Sequence, residues 1–265
     1  MLVLLPPSEG KTAPTTGKPF DLKTITPFAK DLNQARNQVL TALEKISASP
    51  DALELLGVGA SLSAEVAANT RLLQAHCAPA YQVYSGVLYD FGNFAERGKH
   101  YRPSADFSIW VQSALFGLVD LSSPIPAYRL SMDTKLGELG SLSTFWKSQL
   151  NPILAAVTQQ VIVDCRSGSY IKAWPALETK TSAHTLLRVN VVRERAGKRS
   201  VVSHNAKKFR GVLAGALLEN AARGTLEDSV DGVLRVARSL IGTAEVIGVE
   251  TKPGKGFTEL IIVTS

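Results

Sequence analysis

The chain is poor in the residues that usually announce a site. Its 265 residues include two cysteines, Cys77 and Cys165, too few and too far apart for a disulfide framework or a thiolate ligand set. The four histidines, His76, His100, His184 and His204, fit neither a catalytic triad nor a zinc spacing, so no metal and no cofactor is expected. Long apolar runs are also missing. Residues 212–218 form one of the longest unbroken apolar runs, far below the roughly 18 residues that span a bilayer. The opening run Met1-Leu2-Val3-Leu4-Leu5 stops at Pro6-Pro7, too short for a secretory signal. These absences predict a cytoplasmic protein with reduced thiols and no membrane partner. No internal repeat or low-complexity tract is evident. With 45% hydrophobic and 20% charged residues, the chain is neither disordered nor fibrous, and its length suits one large domain with a self-sufficient core.

Positive charge is present, and it is concentrated. Between positions 188 and 210 stand Arg188, Arg193, Arg195, Lys198, Arg199, Lys207, Lys208 and Arg210 against the single acid Glu194. That excess exceeds the net charge of +6, so the rest of the chain is almost neutral. Such a stripe is either a solvated face or a surface that captures polyanions. Lys207, Lys208 and Arg210 fall in the first turns of a helix expected over 206–222, where the helix dipole disfavours each cation by about 0.3–1 kcal/mol. Lys207 and Arg210, three apart, share a face. Full solvation or an anion would offset the dipole.

Hydrophobic periodicity predicts a buried strand at 2–5 and a helix over 28–46, with two short helices over 51–56 and 62–74 broken by Gly57-Val58-Gly59. Residues 82–89 alternate like a strand, and 108–119 read as an apolar helix. Another helix is expected over 143–157, and 161–163 is a β-branched run typical of a strand covered on both faces. Residues 186–194 and 199–203 flank Ala196-Gly197-Lys198 as a hairpin. A helix capped by Thr225 should run to Gly242 with Leu240 and Ile241 buried, followed by a hairpin of 245–251 and 257–264. Strands and helices mix without strict alternation, which predicts an α+β fold: a single domain over 1–265 with a mixed β-sheet flanked by helices, and a helical insertion near 28–78.

Three constellations carry possible chemistry. Gly10-Lys11-Thr12 follows a strand, yet the first glycine of a P-loop would fall on Leu5, and Pro6 and Pro7 lack the amides such a loop needs. Ser8, Glu9 and Lys11 still stand where a site or a plain structured turn would be. Asp164-Cys165-Arg166 follows the strand at 161–163, where ligands meet α/β sheets. Arg166 would lower the Cys165 pKa if it lay against the thiol; a buried structural cysteine is the alternative. Residues 56–66 resemble a helix-hairpin-helix, in which Gly57 and Gly59 would let backbone amides approach a DNA phosphate. Between 51 and 70, however, stand Asp51, Glu54 and Glu65 and no Lys or Arg, so a plain helical turn is the competing reading.

Five segments in order resemble the YaaA family of peroxide-stress proteins. They are the strand-loop ending in Lys11-Thr12, Tyr84-Ser85-Gly86-Val87-Leu88-Tyr89, the stretch from Tyr128-Arg129 to Lys135-Leu136, the strand-loop from Asp164 to Tyr170 with Lys172, and Ala206-Lys207-Lys208-Phe209-Arg210-Gly211. The resemblance implies a mixed sheet with a central basic cleft, a role in limiting oxidative DNA damage and free iron, and sequence-independent binding of double-stranded DNA or DNA junctions through that cleft and a helix-hairpin-helix-like element. By position, Lys11, Arg129, Lys135, Lys207, Lys208 and Arg210 would be its basic residues, with Arg166 and the hairpin glycines Gly57 and Gly59 as further phosphate contacts. Any effect on iron is expected to be indirect, since no ligand cluster is present, and a monomer is expected. The alternative is an enzyme acting on a phosphate- or carboxylate-bearing small molecule or nucleotide in the same cleft. Arg129, Lys135 and Arg166 would then hold the anion, and Ser8, Glu9, Asp164 or Cys165 would supply acid, base or nucleophile.

Overall fold

Parallel strands buried on both faces need unbroken apolar runs, and the Leu2–Leu5 run is one: its four side chains are fully buried. The computed structural model describes residues 1–175, 184–201, 206–243 and 245–265. Its strands are β1 (Leu2–Leu5), β2 (Ala78–Pro79), β3 (Ser108–Ser113), β4 (Gly117–Asp120), β5 (Pro124–Ile125), β6 (Val161–Asp164), β7 (Thr185–Arg195), β8 (Lys198–Val201), β9 (Val246–Pro253) and β10 (Thr258–Thr264). Eight form one mixed sheet in the order β4-β3-β1-β6-β7-β10-β9, with β8 paired to β7. Neighbours are parallel from β3 through β1, β6 and β7 to β10, and antiparallel at β4, β8 and β9. β2 and β5 make a separate two-stranded ribbon. The fold is therefore α+β, a single domain with a mixed sheet flanked by helices, as the unalternating pattern predicts.

The helices are α1 (Ala29–Ser47), α2 (Ala52–Leu55), α3 (Ser63–Ala68), α4 (Ala80–Val83), α5 (Val87–Phe91), α6 (Phe94–Arg97), α7 (Leu142–Leu150), α8 (Gly168–Ala173), α9 (Ala206–Ala222) and α10 (Val230–Arg238). Three expectations are corrected. Residues 82–89 are not a strand: Gly86, at φ 96°, separates α4 from α5, so the alternation reports two one-turn helices. Residues 108–119 are not a helix but the β3–β4 hairpin; a short apolar run does not distinguish a buried strand from a buried helix. The cap of α10 is Ser229, whose hydroxyl accepts from the Gly232 amide at 2.9 Å. Thr225 instead bonds back to Asn220 at the end of α9, and Ile241 is 46% exposed. The predicted hairpin around 197 is β7–β8, its positions 202 and 203 lying outside the described residues.

One buried cation organises the molecule's first half. Arg36 of α1 is fully buried and donates to the carbonyls of Ile25, Pro27, Phe116 and Leu118 and to the Asn33 side chain at 2.7–3.0 Å. It thereby binds α1 to the 25–27 loop and to the β3–β4 hairpin. A buried charge is tolerable only when hydrogen-bonded this fully.

Candidate functional site

From β1 the chain leaves toward β3 on one side; from β6 it leaves toward β7 on the other. The carboxyl ends of β1 and β6 therefore flank a crevice between diverging connections, the position at which open α/β sheets receive ligands. A cavity of about 280 Å³ occupies it, walled by the loop after β1, the start of α5, Ser167 and Tyr170 after β6, and Lys207 and Arg210 of α9. The loop is held from several sides. The Tyr89 hydroxyl donates to the Pro6 carbonyl at 2.8 Å and the Ser85 amide to Ser8 Oγ at 3.1 Å. Ser8 Oγ in turn donates to the Gly10 carbonyl, and the Thr12 amide donates to the Val83 carbonyl at 2.8 Å.

The basic stripe does not converge as a whole. Lys207 and Arg210 line the crevice on one helix face, and Arg210 Nε donates to the Val189 carbonyl at 3.1 Å. Among the described residues no carboxylate pairs with either. Lys208 turns away: its Nζ lies 3.2 Å from Glu245 and 5.2 Å over the rings of Phe91 and Phe209. Arg199 is bound to both Glu194 and Glu250. Arg188 lies 4.1 Å over Phe257 and 4.0 Å from Asp164.

Lys11 and Arg129 form a second group on the far side of the 6–12 loop. Arg129 is buried and takes both nearby acids, Glu65 at 2.7 Å and Glu9 at 3.4 Å. Asn69 fixes its backbone through two 2.9 Å bonds. Lys11 is left with carbonyls: its Nζ donates to Ser8 O at 2.8 Å and sits 4.2 Å over the Tyr128 ring. Burial pulls its pKa down to about 7, with Glu9 opposing and Arg129 assisting. Beneath it, the hydroxyls of Tyr84, Tyr128 and Ser113 form a buried chain, 3.0 and 2.6 Å apart.

Asp164, Cys165 and Arg166 are internal. Arg166 is 1% exposed and grips Asp164 with two 2.8 Å bonds, its third nitrogen meeting Gln112 at 2.5 Å. All three guanidinium nitrogens are thus engaged within the protein. Burial alone would raise the Asp164 carboxyl, but Arg166, with Arg188 behind it, holds it below the usual carboxylate range. Cys165 is fully buried, and that burial pushes its thiol up to about 12, so the expected lowering by Arg166 is not realised and the thiolate is disfavoured. Lys135 is exposed, its backbone bridged to Ser141, and does not line the crevice. Gly57 and Gly59 form the exposed turn between α2 and α3, Gly57 at φ 66°, and α3 reaches the site through Glu65. Sequence reasoning gave no role to Asn69 or to the Tyr170 hydroxyl. Tyr170 is 5% exposed; the Met132 amide approaches its oxygen, while its O–H finds no acceptor among the described residues. Among those residues no group of His, Cys, Asp and Glu gathers as a metal site, and no helix is long and apolar enough to cross a membrane.

Fold and crevice define an α+β protein whose polar site lies where parallel strand ends part. A family model described as peroxide stress protein YaaA matches residues 1–231, and the chain belongs to that family. It is 38% identical to a UPF0246 protein of Streptomyces coelicolor over 91% of this chain and 90% of the relative. A UPF0246 protein of Corynebacterium efficiens is 37% identical over 89% and 93%. An uncharacterized protein of Campylobacter jejuni is 26% identical over 86% and 88%.

Proposed function

We propose that this member of the peroxide stress family binds DNA without reading its sequence, through the basic rim of the β1–β6 crevice, and so limits oxidative DNA damage. The observation that carries the reading is the pair Lys207 and Arg210, lining one crevice with no acid partner among the described residues. Cations left unpaired at the start of a helix are suited to phosphate. The α2–α3 hairpin, where Gly57 and Gly59 are exposed, and the Lys11–Arg129 group beyond the 6–12 loop would widen the contact; any lowering of free iron is indirect. Binding should weaken with salt by a log–log slope of about −0.9 per phosphate contact. Lys207→Ala with Arg210→Ala should flatten the slope on duplex DNA by about two contacts' worth, whereas Arg199→Ala, whose cation is already paired, should leave it unchanged. An unaltered slope in the double variant overturns the reading.

The enzyme reading has one observation in its favour. An amine drawn down to about 7 is substantially neutral at physiological pH, free to take a proton or to attack a carbonyl. Lys11 therefore replaces Cys165 as the reactive candidate.

A further inference from the structure

A crevice of about 280 Å³ falls just below the range of small-molecule sites, which run from about 300 to 1,000 Å³. A duplex can lie across its rim, but the interior has room for one small anionic group. Two features inside and beside it are unused by rim binding. The first is Tyr170, which lines the crevice; the Met132 amide approaches its oxygen, but its buried O–H has no acceptor among the described residues, and such a donor is costly unless a ligand satisfies it. The second is the outer face of α5. Val87 lines the crevice, and Phe91, one helical turn on, lies on the same face; they are 40% and 49% exposed. Lys208 sits 5.2 Å over the Phe91 ring. An exposed phenyl among cations is a stacking platform for an unpaired base.

We propose that the crevice takes a nucleotide by its phosphomonoester, the phosphate between Lys207, Arg210 and the Tyr170 hydroxyl and the base against the Val87–Phe91 face. The nucleotide is the phosphorylated end of a DNA strand or a free mononucleotide. This rests on the DNA reading only in taking the strand end as a source. A monoester carries about −1.5 to −2 at neutral pH, against −1 for an internal diester, so two unpaired cations favour a terminus. Glu9, also at the crevice, has its charge turned toward Arg129.

The test compares a short single strand ending in a 5′- or 3′-phosphate with its hydroxyl-ended form, and adds deoxyadenosine 5′-monophosphate and inorganic phosphate as competitors. A phosphorylated end should bind about tenfold more tightly than a hydroxyl end, the gain of one charge-assisted hydrogen bond. Tyr170→Phe should reduce that preference severalfold, the remainder resting on Lys207 and Arg210. Phe91→Ala should weaken nucleotide binding about tenfold and leave inorganic phosphate unchanged. Melting temperatures near that of the parent establish that both variants are folded. End preference without mononucleotide competition identifies the strand end as the source; competition without end preference identifies the free nucleotide. The proposal is overturned if neither appears, or if both variants bind nucleotide like the parent. Should it fall while Lys207 and Arg210 still set the salt slope on duplex DNA, the DNA reading stands alone. Mononucleotide binding without duplex binding would instead leave the nucleotide site standing and remove the DNA reading.

Discussion

Arg36 and Lys11 are both cations removed from water, and the protein treats them differently. Arg36 has four carbonyls from two segments around it, so its charge is solvated by the backbone. Replacing it by Met leaves those carbonyls unpaired in the core and should cost about 3–5 kcal/mol, read as a lowered midpoint in urea. Sequence reasoning gave it no role, although Arg36 falls on the apolar stripe Leu32, Ala35, Val39, Leu43 of α1, where a cation needs partners. Lys11 has fewer. Its pKa is about 7 in the folded protein against roughly 10.4 in an unfolded chain. Between those values the unfolded chain holds a proton that the folded one lacks, so the Lys11 contribution to stability rises with pH. Lys11→Met should therefore be stabilising relative to the parent below pH 7, by about 4–5 kcal/mol at most, and the advantage should shrink as pH climbs toward 10. Thermal unfolding across that range checks it; an advantage independent of pH would mean that Lys11 titrates normally.

Among the elements, α5 and α9 carry the crevice walls, and their spacing depends on glycine. A Cβ at Gly211 would come 2.0 Å from the Leu88 carbonyl oxygen, which is backbone and cannot swing aside. Gly211→Ala should force the helices apart at about 1–3 kcal/mol, lower the melting temperature by several degrees, and weaken anion binding because Val87 and Lys207 separate. A stable variant with parental affinity would show the helices to be adjustable. At this scale much was legible: α1, α9 and α10 follow from apolar spacing, β1 and β6 from short buried runs, and the shared face of Lys207 and Arg210 from a separation of three. What was not legible depended on distant partners. Nothing local distinguishes 108–119 as a hairpin until Trp146 packs against Gly117. Nothing near Lys208 announces Glu245, and nothing near Arg166 reveals that Gln112 will take the nitrogen its neighbour Asp164 leaves free.

For the whole molecule, the proposed DNA binding would divide the concentrated charge between two roles. Lys207 and Arg210 sit at the crevice, while Arg195 and Lys198 pair across the exposed tip of β7–β8, away from the crevice lining. Charges at a distance steer encounter, and charges in contact hold the complex. Arg195→Glu with Lys198→Glu should therefore slow association with DNA severalfold at low ionic strength and leave dissociation unchanged, the difference fading as salt shortens the Debye length to about 10 Å at 0.1 M. Lys207→Ala with Arg210→Ala should do the reverse and act mainly by speeding dissociation. Stopped-flow traces at two salt concentrations separate the rates. Faster dissociation in the hairpin-tip variant would put the tip itself against the phosphates, and the crevice would then be one edge of a wider surface rather than its centre.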